Sequence, residues 1–251
     1  MPSIRTPLIA SIYFLILFPF LSSTEKSTRY ENQITIREST IDYQLRVGDR
    51  LFVFGKKSAG LEKIKVGMRM LDFYQQSHWE GSTYTLKWFR TKEASVVLQK
   101  WSGKILHSQW TLFPSGTIQY EKMNPAEDEF DLEFRFIEES LAAYDWQGLN
   151  QTGSANPKPI AEMSSKTALR FDQFDRLNLN FEDLSVIITP LELPVFALVL
   201  PNEERTRFNS IKFNVLSDPS LPSETPGQTD IETPPSKTLR DSLLKLNFEF
   251  Y

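Results

Sequence analysis

Cysteine is absent from this 251-residue chain. That excludes disulfides, thiolate nucleophiles, iron–sulfur clusters and cysteine-based zinc sites. Histidine is nearly as scarce, with two residues, His78 and His107. An extended His78-Trp79-Glu80 would set an imidazole and a carboxylate on one side, but two ligands begin a metal site without completing it. No metal and no cofactor is expected. The chain also lacks a P-loop, a dinucleotide fingerprint and a G-x-S-x-G elbow. Its formal charge is −4, and its basic residues stand singly, so the clustered Lys and Arg that phosphate backbones require are missing. Nucleic acid is not an expected partner. No repeat of fixed period is visible either.

What is present begins with an apolar start. Arg5 precedes "PLIASIYFLILFPFLSS", and no acidic residue occurs before Glu25. A basic start, an apolar run of about fourteen residues and then small residues form a signal-peptide pattern. As a helix, Leu8–Leu21 would span roughly 20 Å, short of the ~30 Å hydrocarbon core. Residues 1–23 are therefore expected to direct export to the periplasm, cell envelope or exterior. An uncleaved anchor formed by residues 7–23 is the alternative.

Beyond residue 30 the dominant period is two, the period of strands. Ile41, Tyr43, Leu45 and Val47 alternate with polar residues, as do Ile64, Val66, Met68 and Met70. The same holds for Phe130 to Phe136, Leu177 to Phe181, Ile211 to Val215 and Leu244 to Phe250. Such two-faced strands belong to antiparallel sheets with one wet face. "PVFALVL" (194–200) is apolar at both parities and is expected to be a central, doubly buried strand. Ile137, Leu141 and Tyr144 fall at helical spacing and predict one short helix. Turns are expected at "VGDR", "GKKSAG", "WSGK", "FPSG" and "MNPAED". The fold expected over residues 30–216 is mainly β: an antiparallel barrel, half-barrel or sandwich of roughly ten to twelve strands with one short helix. Residues 148–165 read as a polar loop. Residues 217–238, rich in Pro, Ser and Thr, read as a disordered linker. Residues 239–251 read as a C-terminal strand that docks on the main sheet or on an envelope protein partner.

The stretch 84–113 holds three of the five tryptophans. Parity places Tyr84, Leu86 and Trp88 on one face of a strand, opposite Thr83, Thr85 and Lys87. It places Leu106, Trp110 and Leu112 on one face with Ser108 between them, and His107, Gln109 and Thr111 on the other. Trp101, beside a turn, is expected to be partly exposed. Packing inside a sheet and exposure to an apolar ligand in an open barrel both produce this pattern. If a cavity exists, Tyr84, Trp88, Trp101, His107 and Trp110 are the candidate ligand-binding residues, and none is assigned a catalytic role. Asp131 and Glu133, in the acidic "AEDEFDLE" (126–133), take the polar parity of a regular strand and are expected to face water.

Together these features point to an exported, non-enzymatic β-rich domain that binds or carries a lipid or other apolar or amphiphilic molecule. An envelope structural or assembly protein is the first alternative. The closing Leu244-x-Leu246-x-Phe248-x-Phe250 resembles the aromatic-ended last strand of outer-membrane barrels, but Tyr251 puts it one residue out of phase. The strands are also nearer seven residues than the 9–11 needed to cross a bilayer. A secreted hydrolase is the second alternative.

Overall fold

The structure is a computed structural model. It describes residues 33–75, 84–123, 132–136, 141–148, 158–159, 168–181, 184–192, 194–202, 208–215 and 244–251. The export segment, the 217–238 linker, His78, Glu80 and Asp131 lie outside the described residues, as do most of the 148–165 loop and most of "MNPAED".

Eighteen strands are described. In chain order they are β1 (Thr35–Glu38), β2 (Asp42–Val47), β3 (Arg50–Gly55), β4 (Gly60–Val66), β5 (Arg69–Gln75) and β6 (Tyr84–Arg90). Next come β7 (Val96–Ser102), β8 (Ile105–Leu112), β9 (Ile118–Lys122), β10 (Leu132–Phe136), β11 (Leu141–Gly148) and β12 (Lys158–Pro159). The last six are β13 (Leu169–Phe171), β14 (Phe174–Phe181), β15 (Ser185–Pro190), β16 (Val195–Pro201), β17 (Phe208–Val215) and β18 (Lys245–Phe250).

These strands form two nine-stranded sheets, ordered β1-β2-β3-β4-β5-β10-β17-β16-β13 and β12-β11-β14-β15-β18-β9-β8-β7-β6. The pairings are antiparallel, and neither sheet closes on itself. Of the three expected architectures the sandwich is the one formed, with more strands than expected.

Several strands are short because glycine ends them. Val47 pairs with Arg50, Val66 with Arg69 and Ser102 with Ile105, each across two residues. The first loop residue in each case is a glycine at positive φ: Gly48 at 57°, Gly67 at 61° and Gly103 at 57°. This is the backbone a tight hairpin needs to match strand twist. The run Ile64 to Met70 is accordingly two strands, and Met68 sits exposed at the turn between them. Ile41 is likewise exposed, one residue before β2 begins.

The expected helix is not seen, and residues 141–148 form β11 instead. A register shift between Leu141 and Ala143 inserts an extra residue in this strand. That bulge lets Leu141 and Tyr144, three apart, both turn inward and imitate helical spacing. No helix occurs among the described residues, so none there is long and apolar enough to cross a membrane.

"PVFALVL" also departs from expectation. Its strand, β16, is next to the edge of its sheet. Val195, Ala197 and Val199 face the core, whereas Phe196, Leu198 and Leu200 are half-buried on the other side. The alternation is that of a one-sided strand whose outer face happens to be apolar.

The inner faces of the two sheets interdigitate through aromatic rings. Phe52 on β3 meets Phe250 on β18 with centroids 6.0 Å apart, and Phe54 meets Trp110 on β8 at 6.2 Å. Phe134 on β10 meets Phe248 at 6.0 Å, and Phe136 meets Phe181 on β14 at 4.7 Å. The first three pairs meet edge to face, a favoured arrangement of aromatic rings, and the fourth is tilted. Two arginines also tie the layers together. Arg90 Nη2 donates to the Ile34 carbonyl at 2.6 Å, and Arg50 Nη1 donates to that of Ser115 at 3.1 Å.

Candidate functional site

The opening strands of the second sheet, β6 to β9, carry most of the residues singled out from the sequence. Cross-strand partners share a face, so register assigns each side chain to a side. One inward row runs Trp88, Leu98, Trp110, Tyr120 and Leu246 across β6, β7, β8, β9 and β18. Trp110 is the centre of this row and is 2% exposed. Its ring lies 4.9 Å from Tyr120 and 5.6 Å from Phe248. Its indole Nε1 donates to Gln75 Oε1 at 3.2 Å, and the same oxygen accepts the Leu61 N–H at 3.1 Å. Trp110 is thus a core residue held between layers, with its one polar group satisfied. Trp88, at the edge of the same row, remains 39% exposed.

The next inward row, toward the β7–β8 turn, has a different chemistry. It runs Leu86, Lys100, Ser108 and Lys122. Lys100 is 9% exposed and Lys122 is 4% exposed. Beyond it lies Tyr84, whose ring receives the Lys100 ammonium at 4.1 Å. His107 meets the Tyr84 ring edge-on, with centroids 5.3 Å apart. A protein interior that takes up lysine ordinarily surrounds it with compensating groups, because burying a charge is costly. This row sets two such lysines on either side of a serine hydroxyl, next to an aromatic wall.

His107 reaches this side because β8 carries an extra residue. The register between β7 and β8 shifts after Lys100, so Trp101 pairs with Leu106 and not with His107. The Met123 N–H donates to the His107 carbonyl at 2.7 Å and holds the kink. The expected assignment of Leu106 and His107 is therefore exchanged: Leu106 lies opposite Trp101 on the outer face, and His107 joins Tyr84. A bulge inverts parity locally, and no residue in "KILHSQW" signals it.

Trp101 belongs to the other side of the sheet. Its ring is covered by the Lys87 ammonium at 5.1 Å. It borders an outward polar row of Lys87, Gln99, Gln109, Glu121 and Lys245. Gln99 donates to Gln109 at 3.3 Å, and Gln109 donates to Glu121 at 2.9 Å. Of the five candidate residues, then, Tyr84, Trp88 and His107 share one inward edge. Trp110 backs them from the core, and Trp101 is separated from them by the thickness of the sheet.

Glu133 corrects a further expectation. It does take the face opposite Phe134, yet it is 2% exposed and not in water. Arg135 Nε lies 3.4 Å from one of its carboxylate oxygens and Lys212 Nζ lies 3.6 Å from the other. Two cations on one buried carboxylate make a structural ion pair on the first sheet. No group of three or more His, Cys, Asp or Glu residues suited to a metal occurs among the described residues.

Lysine at inward parity was the signal that could have found the cationic row. Lys100 shares its parity with Val96 and Leu98, and Lys122 shares its own with Ile118 and Tyr120. Their pairing across Ser108 is a matter of register and is invisible in sequence.

No family model matches the chain, and no curated protein matches it. Among solved structures, HI1317 aligns over 87% of this chain and 100% of its own length, at 9% identity and a TM-score of 0.46. YeaD of Salmonella typhimurium, a candidate mutarotase, aligns over 87% of this chain and 93% of its own, at 11% identity and a TM-score of 0.37. At such identities and scores neither likeness bears on what this chain does.

Proposed function

We propose that this chain is an exported, non-enzymatic β-sandwich that binds or carries an amphiphilic molecule in the cell envelope. The ligand lies at the inward edge formed by β6 to β9. The observation that carries this reading is the juxtaposition there of two chemistries. Tyr84, Leu86 and the half-open Trp88 provide an apolar margin, and Lys100, Ser108 and Lys122 provide a polar row directly beside it. A purely apolar ligand would gain nothing from buried lysines, and a purely polar one nothing from an exposed indole. The apolar start at residues 7–23 supports export.

The test is the native mass of protein purified from its own host without detergent, followed by solvent extraction of the same sample. A stoichiometric excess mass that extracts as an amphiphile is the expected result. A bare polypeptide mass refutes the carrier reading and leaves envelope assembly as the better account. The same spectrum reports whether the chain begins near Thr24, as cleaved export requires.

A further inference from the structure

We propose that β6 is a docking edge for a second copy of this chain, and that two copies join there into one sheet about a two-fold axis at Trp88. This goes beyond the carrier reading and does not depend on it. The four sheet ends differ. β1 has four residues, β13 three and β12 two, the last of them a proline, and strands this short offer little backbone to a newcomer. β6 has seven residues and no proline. Among the described residues no strand pairs along its outer side, and five of its seven residues are exposed. Trp88 at 39% and Phe89 at 44% are among them, one on each face. Strand addition uses such an edge: main-chain hydrogen bonds give affinity, and side chains on alternate faces give specificity.

Charge selects the occupant's register. A two-fold axis normal to the sheet pairs the strands antiparallel and keeps each face continuous, so residues of the same parity meet. Placed at Lys87, the axis overlaps all of β6 but sets Lys87 against the partner's Lys87, and like charges directly opposite are destabilising. Moved one residue, to Leu86 or to Trp88, it overlaps 84–88 or 86–90, and no like charges meet. At Leu86 the exposed Phe89 falls beyond the paired residues. At Trp88 both exposed rings are covered. Trp88 then meets the partner's Trp88 on the inward face, and Phe89 meets the partner's Lys87 on the outward one. The Lys87 ammonium already lies over one ring of its own chain, Trp101, at 5.1 Å, and a second ring opposite it adds a cation–π contact. Arg90 meets the partner's Leu86, and its guanidinium is already held by the Ile34 carbonyl at 2.6 Å.

The experiment is sedimentation velocity on the detergent-free protein from about 1 μM to about 1 mM. A monomer–dimer equilibrium with no larger species is expected, because an isologous contact is used up at two copies. Phe89→Lys and Phe89→Glu alter one exposed side chain and set opposite charges before the partner's Lys87. Two symmetric pairs change together, so Phe89→Lys should dimerise at least about tenfold more weakly than Phe89→Glu. Hydrogen exchange on the unaltered protein is a second reading that needs no variant: the β6 amides should gain protection as concentration rises. A monomer throughout, an open-ended series of larger species, or equal constants for the two Phe89 variants overturns the inference. A native mass that holds a foreign polypeptide in place of a second copy overturns it as well. None of these outcomes bears on a bound amphiphile, which the solvent extract reports separately.

Discussion

Replacing Phe248 by alanine removes the ring on which the two sheets meet. Phe248 is almost fully buried in β18. It lies 5.6 Å from Trp110 within its own sheet, and 6.0 Å and 6.4 Å from Phe134 and Phe213 in the other. It also stacks on Phe250 at 6.5 Å, with planes 8° apart. A buried Phe→Ala change costs about 3–5 kcal/mol, part transfer and part cavity. The rings around Phe248 belong to four strands in two layers and cannot all collapse into the gap, so the upper half of that range is expected. Typical domains have about 5–15 kcal/mol in total, so the variant remains folded but fragile. Urea unfolding should show a lower midpoint with an unchanged slope, since the surface exposed on unfolding is nearly the same. Asn247→Ala supplies the contrast. Asn247 is the next residue, on the outward face, where its amide donates to Glu249 at 3.4 Å, and its loss should change stability by less than about 0.5 kcal/mol. Comparable losses at 247 and 248, or a loss under about 1 kcal/mol at Phe248, would refute the claim that this ring bridges a close-packed junction.

Further predictions follow from other positions. Gln75→Met strands two buried donors, the Leu61 N–H and the Trp110 indole; at about 1–3 kcal/mol for each lost partner, thermal unfolding should shift down by several degrees. Gly103→Ala meets no atom within 4 Å but must hold φ at +57°; it should cost about 1–2 kcal/mol, and Gly103→Asn, which tolerates that region, distinctly less. Tyr144 has its pKa raised by burial, so the folded state holds the phenolic proton longer than the unfolded chain does. Its contribution is complete below the unfolded value of about 10 and is lost as pH rises through the folded value. Tyr144→Phe should therefore flatten the fall of stability that urea unfolding measures as pH rises above about 10.

Much of this fold is legible in the chain because alternation is written wherever a strand is regular. Leu177, Leu179 and Phe181 point inward and Asn178 and Asn180 outward, and the same holds for Leu246, Phe248 and Phe250 against Lys245, Asn247 and Glu249. Alternation misleads where the backbone departs from regularity. A bulge at 141–143 turned two inward residues into an apparent helical pair, and a bulge at His107 exchanged the sides of two neighbours. Gly67 hid a turn inside an unbroken alternation: the two-residue loop inverts parity, so Leu71 and not Met70 shares the face of Ile64. The candidate site was half legible. Aromatic richness marked β6 to β8, but the lysine row arises from register between strands distant in sequence, and a single strand carries no record of its neighbour.

The position of β18 has a consequence for how the molecule is made. It fills the gap between β9 and β15, both of which precede it in the chain. Until residues 245–250 are available, the second sheet exists as two separate pieces, each with an open hydrogen-bonding edge at the place where the finished sheet is continuous. Such edges invite pairing with other chains, and pairing over long sequence separations is slow. A nascent chain can pair β1 to β5 and β6 to β9 in order as they are made, but the second sheet becomes continuous only when β18 is available. A synthetic peptide covering 244–251 should act in trans as the missing wedge, restoring cooperative unfolding to a chain that stops short of it.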